Sequence, residues 1–270
     1  MSWDPDNPLL PSAALGETAS GARNLPAFVC SLLDPGPVLV LGASDVGLAA
    51  ALRHDVTVVD SGSRRLAGLE ALARETGTEI RAICRDPERQ DLGVTPRSFA
   101  NAICVDGMDR FRDEVAILEK LEHVLVPEGK LVIRVPACRW VRGESPRGSA
   151  GTRIYDAEAL REALDEASLR TIRIRHWNAV GVPCALVWDR VLRRPHPDGS
   201  TRHSRPWWSA IDLWYRTVEN RVGFPVGVSL VAVATPYRER VRVASPAWER
   251  GVARPAVRGA YESMATTRSS

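Results

Sequence analysis

With 270 residues, 44% of them hydrophobic and 26% charged, the chain can bury a substantial core and has the composition of a soluble globular protein. A formal net charge of +3 lacks the strong basic bias of a nucleic-acid binder, so no nucleic-acid partner is expected. The five cysteines, Cys30, Cys84, Cys104, Cys138 and Cys184, are odd in number and widely spaced, which fits a reduced cytoplasmic compartment better than a disulfide framework, and no His/Cys cluster predicts a metal.

The amino terminus has no basic region leading into an apolar one, and no apolar run reaches about 18 residues, so neither a signal peptide nor a spanning helix is expected. Lysine occurs only at Lys120 and Lys130; the other side-chain cations at neutral pH are arginines, a codon habit of high-GC bacteria rather than a sign of chemistry.

Residues 1–21 are rich in Pro, Gly, Ser and Ala and predict a flexible lead-in. A short helix is expected around Leu25 to Leu33, stopped by the "DPGP" turn. Apolar strands then alternate with amphipathic helices: "PVLVLG", a helix from Asp45, "VTVVD", a helix from Ser63, "EIRAIC", "FANAICV", a helix from Asp109 to Val126, and "KLVIRVPA". Such a series predicts an α/β protein with a doubly wound, mostly parallel sheet. Asp156 is placed to cap a further helix, followed by the strand "RTIRIRHWN", a helix around Ser209 to Val222, and the strand "VGVSLVAVAT". Residues 241–270 lack a sustained period and predict a flexible tail, leaving 22–240 as the domain.

The chemistry begins at the turn Gly42-Ala43-Ser44-Asp45-Val46-Gly47. A small residue after the first strand lets the backbone approach a ligand, and the helix that follows offers free amides and a positive dipole end. Asp60 closes the second strand eighteen residues after Gly42, where a carboxylate can take ribose hydroxyls. These features suit either a dinucleotide or S-adenosylmethionine (SAM). A short-chain dehydrogenase would need a Tyr-x-x-x-Lys pair for proton transfer, and neither lysine has a tyrosine four residues before it.

From about Pro37 to Pro236 the sequence resembles the class I SAM-dependent methyltransferases. The pieces that carry the resemblance follow one another in register: the glycine turn, "SFANAICVDGMDRF", "LEHVLVPEGKLVIRVPA", "TRIYDAEALREALDEASLRTIRIRHWN" and "GVSLVAVAT". The resemblance implies a seven-stranded sheet whose last strand is antiparallel, with SAM lying across the carboxyl ends of the strands. By position, Gly42, Ala43 and Ser44 would line its methionine end, Asp60 would take the ribose, Asp86 would meet the adenine amino group, and Val105 and Asp106 would border the reacting methyl. It further implies a small-molecule acceptor, of natural-product or glycan tailoring, with residues 178–222 as a cap over the acceptor site.

The sequence also departs from the family pattern. Val40 stands where a carboxylate is usual, Ser44 and Val46 replace glycines, Asn101 replaces the strand-four aspartate, and Met108-Asp109-Arg110 replaces Leu-Glu-His. Arginine holds its proton too tightly to act as a base at neutral pH. His123 sits in a literal "LEHV", but that stretch aligns with a later helix and reads as helix surface. Candidate catalytic residues are therefore Asp106, Asp109, Tyr155 and His176. Trp177, Trp188, Trp207, Trp208, Trp214 and Tyr215 form an aromatic-rich segment suited to packing, to a flat substrate, or to a protein partner across residues 177–215. The eroded motif leaves a second reading open, an inactive methyltransferase-like partner or scaffold.

Overall fold

A computed structural model describes residues 19–42, 46–52, 55–105, 107–137, 153–186 and 206–237. The expected flexible lead-in and tail fall almost wholly outside the described residues, as do Ala43, Ser44 and Asp106.

The first described element is helix α1 (Ala19–Cys30), which starts earlier than the sequence suggests and carries Pro26 inside it. Strand β1 (Val38–Leu41), helix α2 (Val46–Ala51), strand β2 (Val56–Asp60), helix α3 (Ser63–Thr76) and strand β3 (Ile80–Cys84) follow in the expected alternation. Gly77 ends α3 in the left-handed conformation, with φ 67°. Strand β4 (Phe99–Val105) leads to a short 3-10 turn (Met108–Arg110) and then to helix α4 (Glu114–Val124). The helix expected from Asp109 thus begins five residues later, because Asp113 is its N-cap and accepts a hydrogen bond from the Ala116 amide at 2.9 Å.

Strand β5 (Leu125–Pro136) also differs from expectation. The "VPEG" stretch reads as a turn, yet it belongs to the strand, and a register irregularity between Phe99 and Asn101 on β4 absorbs the extra length. Helix α5 (Ala157–Glu166) is capped by Asp156, which accepts from the amides of Glu158 and Ala159. Strand β6 (Leu169–Trp177), a short unanticipated helix α6 (Gly181–Leu186), helix α7 (Pro206–Trp214), a π-helical turn (Tyr215–Glu219) and strand β7 (Ser229–Pro236) complete the order.

The seven strands form one sheet in the order β3-β2-β1-β4-β5-β7-β6. The β3-β2-β1-β4-β5 run is parallel, and β7 inserts antiparallel between β5 and β6. Alternate β1 side chains feed opposite cores, as a sheet covered on both faces requires. Val38 and Val40 join Leu25, Phe28 and Leu48 under α1 and α2, whereas Leu39 and Leu41 join Leu118, Leu121 and Leu164 under α4 and α5. The connections place the carboxyl ends of β1 to β5 along one edge, where open α/β sheets hold their ligands.

Candidate functional site

Four neighbouring strand ends carry the candidate site. At the end of β1, Gly42 has φ 94°, a conformation that a side chain resists, and its amide donates to the Val59 carbonyl at 2.8 Å. This explains why glycine opens the turn. At the end of β2, Asp60 is buried at 6% exposure. Its Oδ1 accepts the Gly62 amide at 2.6 Å and the Arg65 guanidinium at 2.5 Å, and its Oδ2 lies 3.4 Å from Arg65 Nε. Arg65, in the first turn of α3, went unnoticed in the sequence because a pair spaced by five residues across a strand-to-helix turn has no regular period.

The neighbouring strand brings Asp86 alongside. Asp60 pairs in register with Cys84, and the Arg85 amide donates to the Asp60 carbonyl at 3.0 Å, so the turn bearing Asp86 starts beside the Asp60 backbone. Asp86 Oδ1 accepts the Glu88 amide at 2.9 Å, closing a local Asx turn. Val105, at the end of β4, is buried and paired with Arg134 on β5. The fold therefore brings Gly42, Asp60, Asp86 and Val105 to the ends of successive neighbouring strands.

A second cluster lies past the ends of β4 and β5. Asp109 is buried at 4% exposure, and its carbonyl accepts the Arg153 amide at 3.2 Å. Tyr155 is equally buried, and its amide donates to the Pro136 carbonyl at 3.0 Å. The Tyr155 hydroxyl donates to Glu114 Oε2 at 3.3 Å, and Arg153 forms an ion pair with the same carboxylate. Burial pushes the Tyr155 phenol well above its ordinary value; Arg153 partly opposes the shift and Asp109 adds to it. A phenol held protonated in this way can donate a hydrogen bond but is a poor base near neutral pH. Glu114 and Arg153 were not singled out from the sequence, and only the helix-start position of Glu114 would have drawn attention to it.

His176 is not part of that cluster. It lies on β6, the sheet edge, opposite Leu230 of β7, and bridges to Phe224. Two strands, or roughly 10 Å, separate it from β5. Burial lowers its pKa below the ordinary histidine value. His123 occupies the last turn of α4, from which the chain enters β5, and therefore lies at the opposite edge of the sheet from the candidate site. Asn101, at the start of β4, is fully buried and exchanges hydrogen bonds with the Asp34 backbone at 3.0 and 2.8 Å, a structural latch far from the strand ends. Val40 lies at 4% exposure in the apolar cluster under α1 and α2.

The aromatic segment divides. Trp177 and Tyr215 are fully buried, with Trp177 stacked on Phe28 of α1 at 5.9 Å and tilted against Tyr215 at 5.5 Å. The guanidinium of Arg134 lies 5.3 Å from the Trp177 ring centre. Trp214 is partly exposed and contacts Phe224 at 5.7 Å. Trp188 lies outside the described residues, and the side chains of Trp207 and Trp208 are likewise not described. Among the described residues no group of His, Cys, Asp and Glu could hold a metal ion, and no helix is long and apolar enough to cross a membrane.

No family model matches the sequence, and no curated protein matches it. Solved structures do. The [4+2]-cyclase SpnF is similar over 79% of this chain and 80% of its own, with 19% identity and a TM-score of 0.52. A SAM-dependent methyltransferase from Thermotoga maritima is similar over 83% and 92%, with 14% identity and a TM-score of 0.52. Phosphoethanolamine N-methyltransferase 2 from Haemonchus contortus, in complex with SAM, is similar over 79% of this chain and 52% of its own, with 15% identity and a TM-score of 0.52. Taken with the strand order and the antiparallel β7 between β5 and β6, these likenesses show that the chain has the fold of the class I SAM-dependent methyltransferases.

Proposed function

We propose that the protein is a methyltransferase that binds SAM across the ends of β1 to β4 and methylates a small molecule, such as a natural product or a glycan. The observation that carries this reading is the row of strand ends: Gly42 at φ 94°, then the buried Asp60 and the neighbouring Asp86. In this reading Gly42, Ala43 and Ser44 flank the methionine end, Asp60 accepts from the ribose hydroxyls, Asp86 meets the adenine, and Val105 and Asp106 border the methyl. A buried carboxylate with two oxygens can still accept from a diol while Arg65 and Gly62 hold it in place, so these residues fit the cofactor.

When bound, SAM supplies a methyl group already activated on sulfur. The protein's task is then mainly alignment, with a base required only for a weakly acidic acceptor. Tyr155, kept protonated and donating to Glu114, would offer its hydroxyl oxygen to the methyl acceptor as a hydrogen-bond acceptor rather than take its proton. Asp109 and the Glu114 carboxylate beside Tyr155 are the nearby acids for any proton that must leave, and Asp106, outside the described residues, is a further candidate. His176, at the β6 edge, would act only if the 178–222 segment brings an acceptor over that edge. Residues 178–222 would cover the acceptor site, with the partly exposed Trp214 on its outer side.

A second reading is favoured by the side chain at position 40. Val40 is buried among apolar neighbours, so β1 offers no carboxylate to the cofactor's ammonium group. The protein would then be an inactive partner or scaffold working through the aromatic segment. The fold alone does not decide, since one similar structure is a [4+2]-cyclase. Calorimetric titration with SAM, its demethylated product and NAD is the test. Binding of SAM or its product supports the enzyme, binding of none favours the scaffold, and binding of NAD alone overturns the cofactor assignment.

A further inference from the structure

Helix α4 buries one lysine among its apolar residues. Lys120 is 5% exposed and shares the inward face with Ile117 and Leu121. Lysine is almost never buried without partners, because removing its charge from water is costly. Its partners are two backbone carbonyls: Nζ donates to Pro87 O at 2.6 Å and to Gln90 O at 2.8 Å. Both belong to the turn that follows β3.

That turn is tied at several other points. The Asp86 carbonyl accepts the amides of Arg89 at 3.2 Å and Gln90 at 2.9 Å. The Asp86 amide donates to Gln90 Oε1 at 3.3 Å, and the Arg112 amide donates to Glu88 Oε1 at 2.6 Å. Arg85 pairs with Asp91, which also accepts the Gly93 amide at 3.1 Å. Residues 85–91 carry Asp86, Glu88 and Asp91 against Arg85 and Arg89; Asp86 pairs with Arg89 and Asp91 with Arg85, so the stretch keeps a net negative charge. Burial lowers the Lys120 pKa, but Asp86, Asp91, Glu88 and Asp113 all act against that shift and favour the ammonium form. A cation under the turn both fills the two carbonyls and meets the turn's net negative charge.

We infer that Lys120 is a positioning residue which clamps the Asp86 turn from α4 and thereby sets the nucleoside end of the candidate site. The inference rests on the cofactor reading above, in which Asp86 meets the adenine. It assigns a ligand-related task to one of the two lysines in the chain. A residue needed only for packing could be replaced there by methionine, which matches the stem of lysine but donates no hydrogen bond.

The test combines Lys120→Met, Lys120→Arg and Asp86→Ala in the full chain, with SAM titration calorimetry and amide hydrogen exchange. Lys120→Met is expected to weaken SAM binding about tenfold, as loss of charge-assisted hydrogen bonds implies, and to speed exchange across residues 86–93. Lys120→Arg should recover most of both. In an Asp86→Ala background Lys120→Met should cost clearly less, because the clamp acts through Asp86. If Lys120→Met does not fold, Lys120→Gln, which keeps a donor, carries the same comparison with the arginine variant. Unchanged SAM affinity in a folded variant, unchanged exchange in the turn, or full additivity with Asp86→Ala overturns the inference while leaving the cofactor reading intact. A parent protein that binds no SAM overturns both.

Discussion

Asp60 shows how a single carboxylate is prepared by its surroundings. It ends a fully buried strand and is itself buried, so little water solvates it. The Gly62 amide and Arg65 supply what water does not. Replacing Asp60 with Ala should weaken SAM binding by about 1 to 3 kcal/mol, the loss of a hydrogen bond to a charged group, measured by calorimetry with thermal unfolding as a control for folding. Unchanged affinity would place the ribose elsewhere. His176 makes a prediction of a different kind. Its pKa in the folded protein is depressed by burial, so the unfolded chain binds the proton more readily. Its contribution to stability is therefore complete above the unfolded value of about 6.5 and is lost as pH falls toward and through the folded value. Urea unfolding from about pH 5 to about pH 8 should show less acid-side loss in His176→Gln than in the parent. An identical pH dependence would mean that the imidazole titrates alike in both states.

At the scale of elements, helices are legible where a cap and a period agree. α5 is the clear case: Asp156 precedes apolar positions three and four apart, and in the structure its Oδ1 accepts two backbone amides, at 3.1 and 2.8 Å. Asp156→Ala should cost about 1 kcal/mol, the usual penalty for losing such a cap, read from the midpoint of chemical denaturation. α4 was misplaced at its start because Asp109 and Asp113 are both plausible caps. Only the 3-10 turn at Met108 to Arg110, in which Met108 and Asp109 are buried, decides between them, and that turn is held by tertiary contacts rather than by local sequence. β5 hides its beginning for a similar reason: Pro127 and Gly129 look like turn residues and fall in the irregularity between the Phe99–Leu125 and Asn101–Lys130 pairs, which only the long-range pairing of β4 with β5 defines. Gly227 illustrates the same limit. A Cβ there would lie 2.5 Å from the Trp177 carbonyl oxygen, a backbone atom that cannot swing aside. Gly227→Ala should therefore lower the thermal midpoint markedly, whereas Gly68→Ala, on the open side of α3, should not lower it at all.

For the whole molecule, the alternation of strands and helices was enough to predict the doubly wound sheet, because its two periods differ and the parallel strands form nearly unbroken apolar runs. The strand-end positions of Asp60 and Asp86 were also legible, since one closes β2 and the other comes two residues after β3. Their surroundings were not: Arg65 pairs with Asp60, and Lys120 donates to the Pro87 and Gln90 carbonyls of the turn after β3, across gaps that no local period records. The same holds for the joint between the carboxy-terminal third and the sheet. Trp177 ends β6 against Phe28 of α1, Tyr215 of the π-helical turn and Arg134 of β5, and its indole donates to Asn220 Oδ1 at 3.5 Å. Around it, Arg175 donates to the carbonyls of Glu219 and Asn220, Tyr215 donates to Asn178 Oδ1 at 2.5 Å, and the buried Glu219 accepts from the Ala179 amide at 3.1 Å and the Trp214 indole at 3.2 Å. One ring thus links the first helix, the sheet and the last helical segment. Trp177→Ala should destabilise the protein by about 3 to 5 kcal/mol, as large aromatic truncations in cores do, whereas Trp177→Phe should lose less because it keeps the stack on Phe28. Urea unfolding followed both by circular dichroism and by the fluorescence of the remaining tryptophans is the measurement. If the joint binds the last segment to the sheet, the parent unfolds in one transition by both probes and Trp177→Ala separates them. Coincident transitions in the alanine variant would show that other contacts hold the segment in place.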